Sequence, residues 1–328
     1  MPAILTHDLF GRSVLEDVCD LLPLRTNAEQ EAFLLGNQGP DPLFYLVVDP
    51  LMHKWSPLGG AMHESSPAEV LLAMREAAAR LEGREGQIAR AYVAGFACHW
   101  LLDSTVHPFV YFWQNGICAA GVPGLGASAG SRVHAEIERD IDEMVLYSLT
   151  GKTVEDWRPH DNALAASHQA LDAINKLYFY MALWVYGRAI DPRTFSTAVV
   201  EFRLVQRVFD SPSGRKRAAL GTLERALTRE PFSLVRSMSH RARAEETSDF
   251  DNREHRGWEN PFTHEASRAS FWDLFDSARG RVLATVDELL LSDEFDLAAA
   301  RELTRDVNFE GAVREPQGRD GVRTWYWG

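Results

Sequence analysis

The chain has 328 residues, 45% hydrophobic and 25% charged, a composition that excludes disorder, collagen and fibre and suits a folded globular protein. Its 34 basic and 47 acidic residues give a formal charge of −13, which repels phosphate backbones, so neither a stable nucleic-acid complex nor attachment to an acidic membrane is expected. A chain of this length buries a core without disulfides or a structural metal, so a metal here would serve catalysis rather than folding.

In chain order, the amino end MPAILTHDLFG lacks a basic region followed by an apolar run and a cleavage site, and no signal peptide is expected. Cys19, Cys98 and Cys118 are widely spaced and odd in number, which implies no disulfide framework or thiolate zinc site and suits a reducing, cytoplasmic compartment. LGNQGPDPLFY places Asp41 in a proline-flanked turn, although such turns are usually only turns. Ser66-Pro67 marks a helix start, and that helix is expected to close at Gly83. A second helix is predicted over 86–113. Its apolar run 91–113 is about long enough to cross a bilayer, but His99, Asp103 and His107 lie in its middle, so a buried helix with a polar stripe is expected instead of a transmembrane one. The glycine-rich stretch 115–131 reads as a loop without the GK[ST] of a phosphate loop, and a third helix should cover 131–149. Further helices are expected near 162–188, 192–209, 215–228 and 267–291, interrupted at 211–216 and 244–260. No internal repeat is evident. The fold class is all-α, a bundle of roughly eight to ten helices with its metal site between core helices. Residues 1–150 are expected to form the metal-binding region and 151–328 a helical extension packed on it; the sequence carries no signal of oligomeric state.

The sharpest motif is HWLLDSTVH. Steps of four on a helix drift by only about 40°, so His99, Asp103 and His107 make one stripe roughly 12 Å long. Imidazole nitrogen and carboxylate oxygen are ligands of zinc and similar cations, and a carboxylate between two histidines can bridge two of them. The alternative is that these groups only hydrogen-bond one another. His134 and Glu138 in RVHAEIERD repeat the four-residue spacing on the next helix; alone they would read as a solvated face, but two antiparallel helices could point both sets into one interior. His63 in MHES and His7 in THDLFG are, taken singly, more often structural than ligands. His160, His168, His240 and His264 are expected to be structural or surface residues. Phe109, Tyr111, Phe112 and Trp113 could form an aromatic mouth, though four aromatics on one helix are more often core.

Taken in order, THxxxG, GPD, MHE, HxxxDxxxHP and HxxxE resemble the zinc-dependent phospholipase C family, an all-α superfamily that includes single-strand-specific zinc nucleases. The resemblance covers about residues 5–145, and NREHRGWENPF around His255 and Trp258 is similar to the extended C-terminal half of bacterial members. It implies that Asp41, His63, His99 and Asp103 hold one zinc, with Asp103 bridging, and that His134 and Glu138 hold a second. His7 with the other oxygen of Asp103 would hold a third, which the secreted enzymes complete with an N-terminal tryptophan that this chain lacks. Those enzymes place a histidine after the proline of the central helix, where this chain has Phe109; His107 is expected to serve instead, because it stays on the stripe, with His53 the runner-up. The implied activity is hydrolysis of a phosphoester, a small molecule or phospholipid head group, by two or three Zn2+ ions that activate water, with Asp41 as ligand and water-orienting base. The alternatives are a nucleotide or nucleic-acid phosphodiesterase of the same superfamily and a non-catalytic metal-binding protein. A phosphohydrolase of the HD type would need a His-Asp doublet within the bundle, and His7-Asp8 is expected to lie too near the terminus for that.

Overall fold

The computed structural model describes residues 3–209 and 239–314. Among them are eleven α-helices, which we number α1 (Ile4–Leu21), α2 (Asn27–Gly36), α3 (Pro57–Glu64), α4 (Pro67–Ala79), α5 (Gly83–Ala119), α6 (Gly130–Thr150), α7 (Pro159–Asn162), α8 (His168–Tyr186), α9 (Thr194–Phe209), α10 (Phe271–Leu290) and α11 (Leu297–Thr304). A short ribbon pairs β1 (Trp258–Glu259) antiparallel with β2 (Ala266–Ser267). The all-α class expected from the periodicity is the one that forms.

Helix α5 is the axis. Residues 91–103 are buried without a break, and a helix covered all round must lie at the centre of its bundle. Helices α2, α4, α6, α8 and α10 pack around it, while α1 lies against α6 and α10. The stripe predicted on this helix is therefore interior at His99 and Asp103, and reaches the edge of the core at His107. Among the described residues no helix is long and apolar enough to cross a membrane.

Several boundaries differ from expectation. Helix α5 does not stop at Trp113 but continues to Ala119, because Ile117 and Cys118 pack on the core and offset the roughly 1 kcal/mol that Gly116 costs a helix. The expected 115–131 loop shrinks to residues 120–126 and a 3-10 turn, Ala127–Ala129, before α6. Gly83 opens α5 rather than closing α4, which ends at Ala79. The helix expected over 162–188 starts later, as α8 at His168, where the Ser167 hydroxyl accepts from the Ala170 N–H (3.3 Å); Asn162 instead closes the short α7. Ser66 precedes the helix start as expected, yet its hydroxyl donates to Asp306 Oδ1 (2.9 Å) instead of capping. The helix expected at 215–228 lies outside the described residues. Helices α1 and α2 were not anticipated; α2 begins with a reciprocal Thr26–Glu29 capping box, a local signal of its start.

Candidate metal centre

Five elements deliver the side chains. Helix α1 carries His7, and its first turn is pinned by Asp142 of α6, which accepts from Leu5 N (3.1 Å), Thr6 N (2.8 Å) and Thr6 Oγ1 (2.6 Å). A carboxylate at a helix N-terminus satisfies orphan N–H groups and complements the helix dipole. Here it drives the helix start into the bundle, so His7 and Asp8 are 2% and 0% exposed, which corrects the expectation that this doublet lies too near the terminus to be interior.

The turn after α2 carries Asp41, which begins a 3-10 helix, Asp41–Tyr45. Gly39 has φ +52°, and a Cβ there would come within 2.2 Å of the His99 ring. Only glycine lets this turn close on that ring. The Gly39 carbonyl also accepts from Tyr92 (3.2 Å) and Tyr178 (3.0 Å), two buried hydroxyls that hold Asp41's turn in place. Helix α3 supplies His63, α5 supplies His99, Asp103 and His107, and α6 supplies His134 and Glu138.

Asp103 is the hub. Its Oδ1 faces His7 Nε2 (3.1 Å) and His107 Nε2 (3.7 Å), and its Oδ2 faces His99 Nε2 (3.1 Å) and His63 Nε2 (3.8 Å). Asp41 Oδ1 lies 3.2 Å from His63 Nε2. Glu138 Oε1 lies 3.2 Å from His134 Nε2 and 3.3 Å from His107 Nε2. Three groups, His7/Asp41/His99, His63/His99/Asp103 and His107/His134/Glu138, each bring their ligand atoms within 4.8 Å of one another. Ligands about 2.1 Å from a tetrahedral ion stand roughly 3.4 Å apart, so these separations fit divalent cations.

The ring orientations favour metal over a purely hydrogen-bonded cluster. Four histidines have Nδ1 beside an oxygen acceptor: His63 with Gly59 O (2.8 Å), His99 with Asn37 O (3.0 Å), His107 with Phe309 O (2.7 Å) and His134 with Gln114 Oε1 (2.9 Å). A ring that donates through Nδ1 presents the Nε2 lone pair, the arrangement that metal-binding histidines use. His99 Nε2 is buried with no hydrogen bond of proper geometry, an orphan that a cation would satisfy.

Electrostatics follow from burial and proximity. Burial pushes the Asp103 carboxyl up, but the charges of His107, His99 and His7 outweigh it and hold it well below the ordinary range. Asp41 is likewise lowered, burial being overcome by the hydrogen bond from His63 and the charge of His99. Glu138 falls well below its usual value, since neighbouring positive charge, His134 and His107 included, overcomes burial. Burial lowers His99 and His134. In His63 and His107 burial is outweighed by carboxylates, and His107 rises to about 9. Three carboxylates thus stay ionised at neutral pH.

The groups open on a cleft of about 390 Å³ lined by Phe44, Tyr45, Glu64, Tyr111, Gln114 and Glu310 among others. His63 and His107 are 12% exposed and His134 13%, so the site has an open face. Of the four aromatics proposed for a mouth, only Tyr111 lines the cleft; Phe109 is fully buried, and Phe112 and Trp113 pack against Trp258 and Phe250. His53 stands apart, its Nδ1 against Leu46 O (2.8 Å). His160 is buried, His240 pairs with Asp142 (2.9 Å), His264 and His255 are exposed, and His168 opens α8. Sequence reasoning missed Phe309 and Glu310, although NFEG at 308–311 is a turn signature; no local pattern says where that turn docks.

No family model matches the sequence, and it matches no curated protein and no solved structure. Fold and site together define an all-helical protein whose buried His/Asp/Glu groups can hold more than one metal ion.

Proposed function

We propose that this chain is a metal-dependent phosphoester hydrolase of the zinc-dependent phospholipase C type, acting in a reducing, cytoplasmic compartment. The carrying observation is Asp103, whose two oxygens face different histidine sets at the base of a solvent-open cleft. His63, His99, Asp103 and Asp41 would hold one cation, His107, His134 and Glu138 a second, and His7 with Asp103 or Asp41 a third. Bound divalent cations would bring a water's pKa near neutrality and offset charge on phosphoryl oxygens.

The chain's own residues supply the rest. Asp41, ionised and 5% exposed at the cleft wall, orients water and accepts its proton at a carboxylate oxygen. Tyr111 and Gln114 offer polar contacts to a phosphoester, and Phe44 an apolar one. Glu64 and Glu310 at the cleft repel a leaving group that carries further negative charge, which favours a phosphodiester with a neutral or cationic head group over a nucleotide polyphosphate. The open face argues against a folding staple, because structural zinc sites are closed.

The test is turnover of bis-nitrophenyl phosphate, a short-chain phosphatidylcholine and a dinucleotide by zinc-loaded and chelated protein. Metal-dependent cleavage, strongest on the phosphatidylcholine, is expected. A dinucleotide preference would move the chain to the nuclease branch, and a folded, zinc-loaded protein that cleaves none of the three would leave only a binding protein.

A further inference from the structure

The histidines of the centre are not all oriented by the elements that carry its ligands. His63 takes its carbonyl from its own helix, and His99 takes its carbonyl from the turn that carries Asp41. His107 instead relies on Phe309, far along the sequence, in a turn that follows α11. That turn is built in detail. Asn308 Oδ1 accepts from Glu310 N (3.1 Å) and Ala312 N (2.9 Å), and Val307 bridges to Val313 across it. Two bonds tie it to α5, from Trp100 Nε1 to Val307 O (2.8 Å) and from Tyr111 to Glu310 Oε1 (3.2 Å), and a third comes from Ser66, just after α3, to Asp306 Oδ1 (2.9 Å). Phe309 is fully buried, with its ring centroid 5.4 Å from that of His63 and 5.7 Å from that of His99. Gly311, at φ +82°, allows the close seat, since a Cβ there would meet Pro108 Cγ at 2.3 Å.

We propose that the 305–313 turn is a working part of the metal centre, in which the Phe309 carbonyl is the positioning group that holds His107 with Nε2 toward Glu138. Docking of this turn sets the cation affinity of the His107/His134/Glu138 group. It leaves the His63/His99/Asp103 group alone, because those rings have their own acceptors and meet Phe309 only through its apolar ring. The reverse also holds by linkage: a cation bound at the first group stabilises the docked turn. This inference rests on the metal-binding reading above.

The test is titration of chelated wild-type protein and Gly311→Ala with Co2+, followed by visible absorption, which reports ligand geometry as well as occupancy. An added methyl against Pro108 lifts the turn from α5. Loss of an outer hydrogen-bond partner of a metal-bound histidine typically costs about 10–100-fold in affinity, so one class of Co2+ site should weaken by that factor with an altered spectrum while the other is unchanged. Asn308→Ala, which loosens the turn without adding atoms against α5, should act in the same direction. In wild type, amide hydrogen exchange at 307–313 should slow when Co2+ binds; if Gly311→Ala fails to fold, the other two measurements decide. A wild type that binds no Co2+ overturns both this inference and the metal reading. A wild type that binds Co2+, with both site classes weakened alike or neither weakened in the variants, or with exchange unchanged by Co2+, overturns this inference alone.

Discussion

Without metal, His107 is left between two oxygen acceptors. Its Nδ1 lies 2.7 Å from Phe309 O and its Nε2 3.3 Å from Glu138 Oε1, and both nitrogens can donate only when the ring is protonated. Burial opposes that charge, but Asp103 and Glu138 overcome it and raise the pKa from 6.5 to about 9. At about 1.4 kcal/mol per unit, the rise stabilises the metal-free fold by about 3 kcal/mol. The folded pKa is raised, so this contribution is complete below pH 6.5 and is lost as pH climbs through 9. His63, also raised, acts in the same direction, whereas His99 and His134 are lowered and exert their effect at lower pH. Urea unfolding of chelated protein across this window should show wild-type stability falling by about 3 kcal/mol or somewhat more, and His107→Gln should lose most of that slope. With metal present the dependence reverses, since a cation must displace the proton and its affinity rises with pH. A chelated wild type whose stability is flat or rises from pH 6.5 to 9, or a His107→Gln variant that keeps the full slope, would refute the reasoning.

Asp103→Ala should lose more metal than His107→Ala by elemental analysis, because its two oxygens serve two sets of histidines; equal losses would mean that Asp103 does not bridge. Asp41→Asn should cut phosphodiester turnover by at least ~10²-fold while losing no more than one metal, since an amide ligates weakly but takes no proton; near wild-type rates would reduce Asp41 to a turn former. Gly39→Ala, with a Cβ only 2.2 Å from the His99 ring at a left-handed φ, should cost at least about 1–3 kcal/mol by thermal unfolding and lower metal content, and an unchanged midpoint would show that the turn does not seat on that ring.

What could be read from the sequence was local and periodic. His99, Asp103 and His107 are one helical stripe whatever surrounds them, and four-residue spacing likewise put His134 and Glu138 on one face of α6. The all-α class followed from the same periodicity. Illegible were features set by contacts between distant segments. The inward start of α1 depends on Asp142 taking the Leu5 and Thr6 N–H groups. Helix α5 outlasts its glycine because Ile117 and Cys118 find core neighbours. Phe309 reaches His107 through a turn whose docking is written in Trp100, Ser66 and Tyr111, none of which neighbours it in the chain. Tyr178 steadies Asp41's turn from α8 in the same way.

The central claim is that these buried carboxylates and imidazoles are a multinuclear metal centre, and the most direct measurement is the metal content of protein purified without chelator. The account predicts about two to three equivalents of zinc or a similar divalent cation, falling in Asp103→Ala. Well-folded protein that contains no metal, and takes up none on dialysis against zinc, would contradict it.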